Sequence, residues 1–151
     1  TIFIQCDNPR IKKTAKRIIG QDTDPLIVAS KLNKWVYKNI IKSPTISIPD
    51  ALQVLKSMEG DCNEHTTLFI ALCRSIGIPA RICVGLTYMK GNFYYHAWPE
   101  VMLDYWRAVD PTLDQFPADA THIRFLIGGL DKQIDLVKIV RKLKIEILNY
   151  K

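Results

Sequence analysis

From Cys62 to Ile76 the chain is apolar on nearly every helical face, with Leu68, Phe69, Ala71, Leu72 and Ile76 leaving no broad polar stripe. Both ends of the segment are marked. Asp61 with Glu64 three residues on is a capping box that starts a helix at Cys62, and Gly77 followed by Pro79 ends it. A helix apolar all round has to be covered on all sides, so this one is expected at the centre of the fold. Its N-terminus, with Cys62, is then expected at the mouth of a cleft. A thiol at the first helical position faces unpaired backbone N–H groups and the positive end of the helix dipole. Both favour thiolate, so the pKa of Cys62 is expected to fall and its nucleophilicity to rise.

The elements around this helix change in kind along the chain. Asp7-Asn8-Pro9 opens a basic helix over Arg10 to Ile19, closed by Gly20. Asp24-Pro25 opens a second, to about Ile41, with Leu26, Ala29, Leu32, Val36 and Ile40 inward and Lys31, Lys34 and Lys38 outward. Pro49-Asp50 starts a short helix, Ala51 to Lys56. After Pro79 the apolar period drops from 3.6 to 2. Ala80 to Met89, Phe93 to Leu103 and Trp106 to Asp110 are expected as strands of an antiparallel meander, separated by turns at Lys90-Gly91-Asn92 and Asp104-Tyr105. Ile123 to Ile127 fits a fourth strand, Ile134 to Val140 a short helix, and Leu143 to Leu148 a last strand; 112–121 is expected as loop. Helices first and antiparallel strands after is the α+β pattern.

The length of 151 residues suits one domain spanning 1–151. The chain opens on Thr1 rather than Met, as expected of an excised domain or a processed product. No apolar run is long enough to span a bilayer, so no direct membrane insertion is expected of this stretch. The net charge of +6 is uneven. Residues 1–43 carry nine basic and three acidic side chains, whereas 44–130, which hold Cys62, carry six and nine. The basic residues sit at helix-surface spacings and are not interleaved with stacking aromatics, so no nucleic-acid partner is expected. Of the four cysteines, Cys73 and Cys83 are read as small buried hydrophobes and the role of Cys6 is open. No Cys/His spacing points to zinc, and no metal or cofactor is expected.

On the second strand His96 shares a face with Tyr94 and Trp98. Asp110 follows fourteen residues later across one turn, a separation that lets the two side chains meet. A carboxylate beside an imidazole fixes its tautomer and supports its charged form. Cys62, His96 and Asp110 therefore supply a thiol nucleophile, a general acid–base and an orienting carboxylate. Among the neighbours, Glu64 is most simply the capping partner of Asp61, His65 a surface residue of the first helical turn, and Trp98 a shield over the His–Asp pair. His122, in a loop, receives no role.

Four blocks resemble the transglutaminase-like superfamily, especially its bacterial members. They are Gly60-Asp61-Cys62-Asn63-Glu64-His65, Ala71 to Arg81, His96-Ala97-Trp98-Pro99-Glu100-Val101, and Trp106 to Thr112. The resemblance implies a papain-like α+β core with a Cys-His-Asp triad, carried over to Cys62, His96 and Asp110. It implies thiol-dependent acyl transfer or hydrolysis on protein or peptide carboxamides through a thioester, and a bacterial envelope or periplasmic setting by family habit. The Arg74 to Arg81 block is expected to be structural. The animal members' calcium loops and extra β-domains have no counterpart here, so calcium dependence is not carried over. The Cys62 N–H is a natural oxyanion donor. Trp35 could supply a second donor but also fits as helix core. Two other readings remain: a non-catalytic protein- or peptide-binding domain on the same fold, and an arylamine acetyltransferase-like acyl carrier, for which no phosphate-binding loop is seen.

Overall fold

The structure, a computed structural model, describes residues 2–44, 48, 50–128 and 143–146. The described elements are α1 (Pro9–Ile19), α2 (Pro25–Asn39), β1 (Ile41–Lys42), α3 (Ala51–Ser57), β2 (Glu59–Gly60), α4 (Cys62–Ser75), β3 (Ala80–Met89), β4 (Asn92–Met102), β5 (Trp106–Ala108) and β6 (His122–Ile127). The expected helix at Ile134 to Val140 lies outside the described residues. Of the expected strand at Leu143 to Leu148, residues 143–146 are exposed and carry no strand, and the remainder lies outside.

The starts of the helices follow their capping residues. Asn8 accepts from the Arg10 N–H at 2.9 Å, Asp24 from the Leu26 N–H at 2.8 Å, and Asp50 from the Gln53 N–H at 3.0 Å. The inward stripe of α2 is Val28, Ala29, Leu32, Asn33 and Val36. Leu26, expected inward, lies at the stripe's edge and is 45% exposed.

Helix α4 is the hub. It packs against α1, α2 and α3 and also against β3 and β4. Every residue from Glu64 to Cys73 is buried, as an all-round apolar helix requires. Its capping box is complete: the Asp61 carboxylate accepts from the Asn63 N–H at 2.8 Å, and the Asp61 N–H donates to Glu64 Oε2 at 3.0 Å. At its other end Gly77 turns the chain at φ +88°. Arg74 then donates from Nε and Nη2 to the Ala80 carbonyl at 2.9 and 2.7 Å, clamping helix to strand. The Arg74 to Arg81 block is thus a structural joint.

The four-stranded antiparallel sheet has the order β5-β4-β3-β6. With β3 between β4 and β6, its residues Cys83 to Thr87 are buried on both faces. A two-residue parallel pair, β1 with β2, was not legible from periodicity because it is too short to have any. It matters locally, since it brings Gly60 to the start of α4.

Gly60 has a steric reason. A Cβ there would lie 2.2 Å from Glu64 Cβ, in the space through which Glu64 reaches back to the Asp61 N–H. Gly60→Ala is therefore expected to break the capping box, with a loss of about 2 kcal/mol in urea unfolding. A change below about 0.5 kcal/mol would show that Glu64 can move aside freely.

Candidate active site

Cys62 is the first residue of α4, where the capping box holds the chain. Its side chain is partly buried against Val84 and Ala97, with Tyr95 on the same cluster. A hydrogen bond of 3.1 Å from Thr66 Oγ1 to the Ala97 carbonyl ties α4 to β4 one turn further on. The thiol is not acidified. Burial pushes it up to about 12, and the Asp61, Asp110 and Glu64 carboxylates push the same way; only the Ala97 backbone hydrogen bond opposes them. The expectation of a lowered pKa weighed the helix end alone. Desolvation and three carboxylates act on the sulfur from around the helix end, and the direction they set is upward.

His96 is 5% exposed and its ring stacks on Trp98, with centroids 6.0 Å apart and planes 21° apart. Trp98 is 1% exposed, so it does shield this face from water. His96 Nε2 lies 2.6 Å from Asp110 Oδ2. Asp110 is not at the end of a strand, because β5 stops at Ala108. It is held in a turn by reciprocal backbone bonds with Gln115, of 2.8 and 2.9 Å. Its Oδ1 accepts from the Thr112 and Leu113 N–H groups at 2.7 and 3.1 Å. A carboxylate only accepts, so Nε2 of His96 carries the hydrogen, and in the neutral ring Nδ1 is the nitrogen with the lone pair. Cys62 packs on the cluster that holds Ala97, the residue that follows His96 in β4.

A second imidazole, missed in the sequence, completes this cluster. His122 opens β6 rather than lying in a loop, and its Nε2 is 3.0 Å from the same Asp110 Oδ2. Its Nδ1 is 3.3 Å from the Asp119 carbonyl and 3.4 Å from Oδ1 of Asp119. The ring meets Trp98 edge-on at 5.0 Å. Burial disfavours charge on His122, but the bond to Asp110 and the Asp119 oxygens outweigh it, and its pKa is raised. The local signal was thin: Asp119 begins a turn closed by the Thr121 N–H at 3.0 Å, immediately before the expected strand. That this strand lies beside β3, within reach of Asp110, is a matter of sheet order.

Gly85 makes the approach possible. It pairs with His96 on one side and Arg124 on the other, at a register shift in β3. A Cβ there would sit 1.9 Å from the Ile123 carbonyl oxygen. Gly85→Ala is expected to push β6 off β3 and to cost about 1–3 kcal/mol. The displaced His122 would lose Asp110, visible as a shifted His122 imidazole resonance.

Asp110 itself is fully buried. Burial pushes its pKa up, yet the bonds from His122 and His96, with the Thr112 N–H, hold it well below the usual carboxylate range. The depressed carboxyl contributes stability that is complete above its unfolded pKa of about 3.9 and is lost as pH falls below it. The raised His122 contributes stability that is complete below about 6.5 and is lost as pH rises through its folded value. These two groups favour the interval between about pH 4 and 6.5, while the lowered His65 takes stability away as pH falls below about 6.5, so the urea midpoint is expected to peak near the upper end of that interval. His122→Gln should flatten the alkaline side; an unchanged alkaline side would mean that His122 carries no charge in the fold.

His65 is fully buried, not a surface residue. Its Nδ1 lies 2.7 Å from the Asp61 carbonyl oxygen. The expectation failed because α4 is covered even in its first turn, next to the end of α2. Trp35 is partly buried against the core, as its alternative reading held. Cys73 and Cys83 are buried free thiols. The donor atoms of His96, Asp110 and His122 lie within 4.8 Å of one another. Both Nε2 atoms share one carboxylate oxygen, so the group is closed by its own hydrogen bonds, and a metal would have to displace both. No described helix is long and apolar enough to cross a membrane.

Residues 12–111 match the model of the transglutaminase-like superfamily. A Haemophilus influenzae protein without an assigned function is 30% identical in an alignment 97 residues long that covers 55% of this chain and 26% of that protein. Among solved structures, a candidate cysteine protease from Cytophaga hutchinsonii superposes with a TM-score of 0.71 at 24% identity, covering 85% of this chain and 44% of that one. The periplasmic domain of TgpA from Pseudomonas aeruginosa superposes with a TM-score of 0.56 at 23% identity, covering 72% and 45%. The chain thus spans about a quarter of that relative and under half of either structure.

Proposed function

Since the chain belongs to the transglutaminase-like superfamily, we propose that it carries out thiol-dependent acyl transfer or hydrolysis on a protein or peptide carboxamide, with Cys62, His96 and Asp110 as its triad. The observation that carries this reading is the buried His96–Asp110 bond of 2.6 Å. It leaves Nδ1 of His96 as the basic atom on the strand against which the Cys62 sulfur packs.

The resting sulfur is a neutral thiol, so the reaction begins with a proton transfer. His96 Nδ1 takes the Cys62 proton as the sulfur attacks the carbonyl carbon, and the electron pair of the C=O bond moves to oxygen. Asp110 steadies the imidazolium through Nε2. The oxyanion collapses, the C–N bond breaks, and the Nδ1 proton goes to the leaving amine. A thioester remains on Cys62. Water or an acceptor amine then gives a proton to Nδ1 and attacks the thioester; the C–S bond breaks and the Nδ1 proton passes to the departing sulfur, which returns the thiol and the neutral imidazole. His122, shared with His96 on Asp110 Oδ2, steadies the carboxylate without touching the substrate.

Incubation with a glutaminyl peptide and a labelled primary amine, with ammonia and new carboxylate both measured, tests the reading. Acyl turnover that depends on Cys62 is expected, and the ratio of amine incorporation to hydrolysis separates transamidase from peptidase or amidase. Turnover unaffected by loss of the thiol would overturn the triad.

A further inference from the structure

His65 has no part in the triad, yet it is 0% exposed at the start of α4. Its Nε2 is buried and makes no hydrogen bond of good geometry, although the Ile40 carbonyl also bears on the ring. A buried ring nitrogen without a well-formed bond is costly and calls for an explanation beyond packing. The other nitrogen, Nδ1, makes a short bond of 2.7 Å to the Asp61 carbonyl oxygen. That oxygen can only accept, so Nδ1 carries the hydrogen. Burial holds the ring neutral by lowering its pKa, and Lys42 acts in the same direction; the backbone carbonyls of Asp61 and Ile40 oppose this without prevailing. The tautomer with hydrogen on Nδ1 is thereby set.

The carbonyl that His65 grips belongs to the peptide unit joining Asp61 to Cys62. Such a unit is planar and trans, so its C=O and N–H point in opposite directions. Fixing the Asp61 oxygen along α4 aims the Cys62 N–H outward from the helix end, where no helical acceptor exists. The same oxygen also accepts the backbone N–H of His65 at 3.1 Å, as in any first helical turn. Two donors on one carbonyl polarise the peptide and make its N–H a stronger donor.

We propose that His65 is a positioning residue that aims and strengthens the Cys62 N–H as the oxyanion donor. The proposal rests on the thiol acyl-transfer reading above. It gives the fully buried imidazole and its 2.7 Å bond to the Asp61 carbonyl a task beyond packing. The residue acts through the peptide and not on the substrate.

Two reactions of the same sulfur provide the test. Acylation by p-nitrophenyl acetate passes through a tetrahedral oxyanion, whereas alkylation by iodoacetamide displaces iodide at a saturated carbon and forms none. His65→Leu keeps the backbone bond to Asp61 but loses the ring bond. It is expected to slow Cys62 acylation about 10–100-fold while alkylation changes less than about threefold. His65→Asn puts an amide N–H near the Nδ1 position and should restore most of the acylation rate. Should H65L fail to fold, His65→Gln serves in its place, because its amide falls at the Nε2 position. Acylation and alkylation falling by one factor, or H65N acylating no faster than H65L or H65Q, would overturn the role of His65 alone. A wild-type chain whose Cys62 is not acylated at all would overturn the thiol reading and this inference with it.

Discussion

Replacing Cys62 with alanine is expected to lower amide turnover by about 10⁴-fold or more and to abolish covalent acylation, leaving only background reaction. The side chain is partly exposed and its apolar contacts are with Val84 and Ala97 at the edge of the core. Its loss should therefore move the thermal midpoint by no more than about 4 °C. Cys62→Ser should be nearly as inactive, since a hydroxyl is a far weaker nucleophile beside the same base. Intact-mass analysis after reaction with an activated ester gives the direct readout: one acyl group on the wild type and none on C62A. The raised thiol pKa adds a pH signature. With iodoacetamide, Cys62 should alkylate slowly at neutral pH and faster toward alkaline pH. Rapid alkylation at pH 6 would mean that the sulfur rests as a thiolate, contrary to its burial among Asp61, Glu64 and Asp110.

Asp110 offers the second large effect, and it touches activity and stability together. Its two oxygens serve His96, His122 and the N–H groups of Thr112 and Leu113 from a fully buried position. Asp110→Ala strands all four donors, and a loss of about 3–5 kcal/mol in urea unfolding is expected. Asp110→Asn is gentler on the fold. Its amide nitrogen, however, cannot accept from both imidazoles in place of Oδ2. Either His96 turns over to the tautomer with hydrogen on Nδ1, or it loses its partner. In both cases the base is lost, and kcat should drop by about 10⁴-fold. Measured kcat, KM and unfolding free energy on D110N and D110A separate the two roles. Wild-type turnover in D110N would remove Asp110 from the proposed triad.

The helices were legible because their start signals are local. Asn8, Asp24, Asp50 and Asp61 each satisfy an N–H two or three residues away, so adjacent sequence is enough to find them. The strand period was legible for β3 and β4, and the meeting of His96 with Asp110 followed from their spacing. The exact end of β5 was not, because Asp110 is held by Gln115 in a turn and not by the sheet ladder. His65 and His122 were misread for one shared reason. Whether an imidazole is covered depends on which element comes to lie over it: the end of α2 for His65, the β5–β6 connection for His122.

The sequence by itself determined the all-round apolar helix, its capping box, the α+β order of elements and the choice of Cys62, His96 and Asp110 as candidates. These depend on spacings of a few residues or on residue type. Only the tertiary structure decided the burial and carboxylate company that raise the Cys62 thiol, the second imidazole on Asp110 and the buried grip of His65 on the Asp61 carbonyl. Desolvation and carboxylate fields are sums over everything packed within several ångströms. Most of that company comes from distant parts of the chain, and the helix end at Cys62 contributes only one part of the sum.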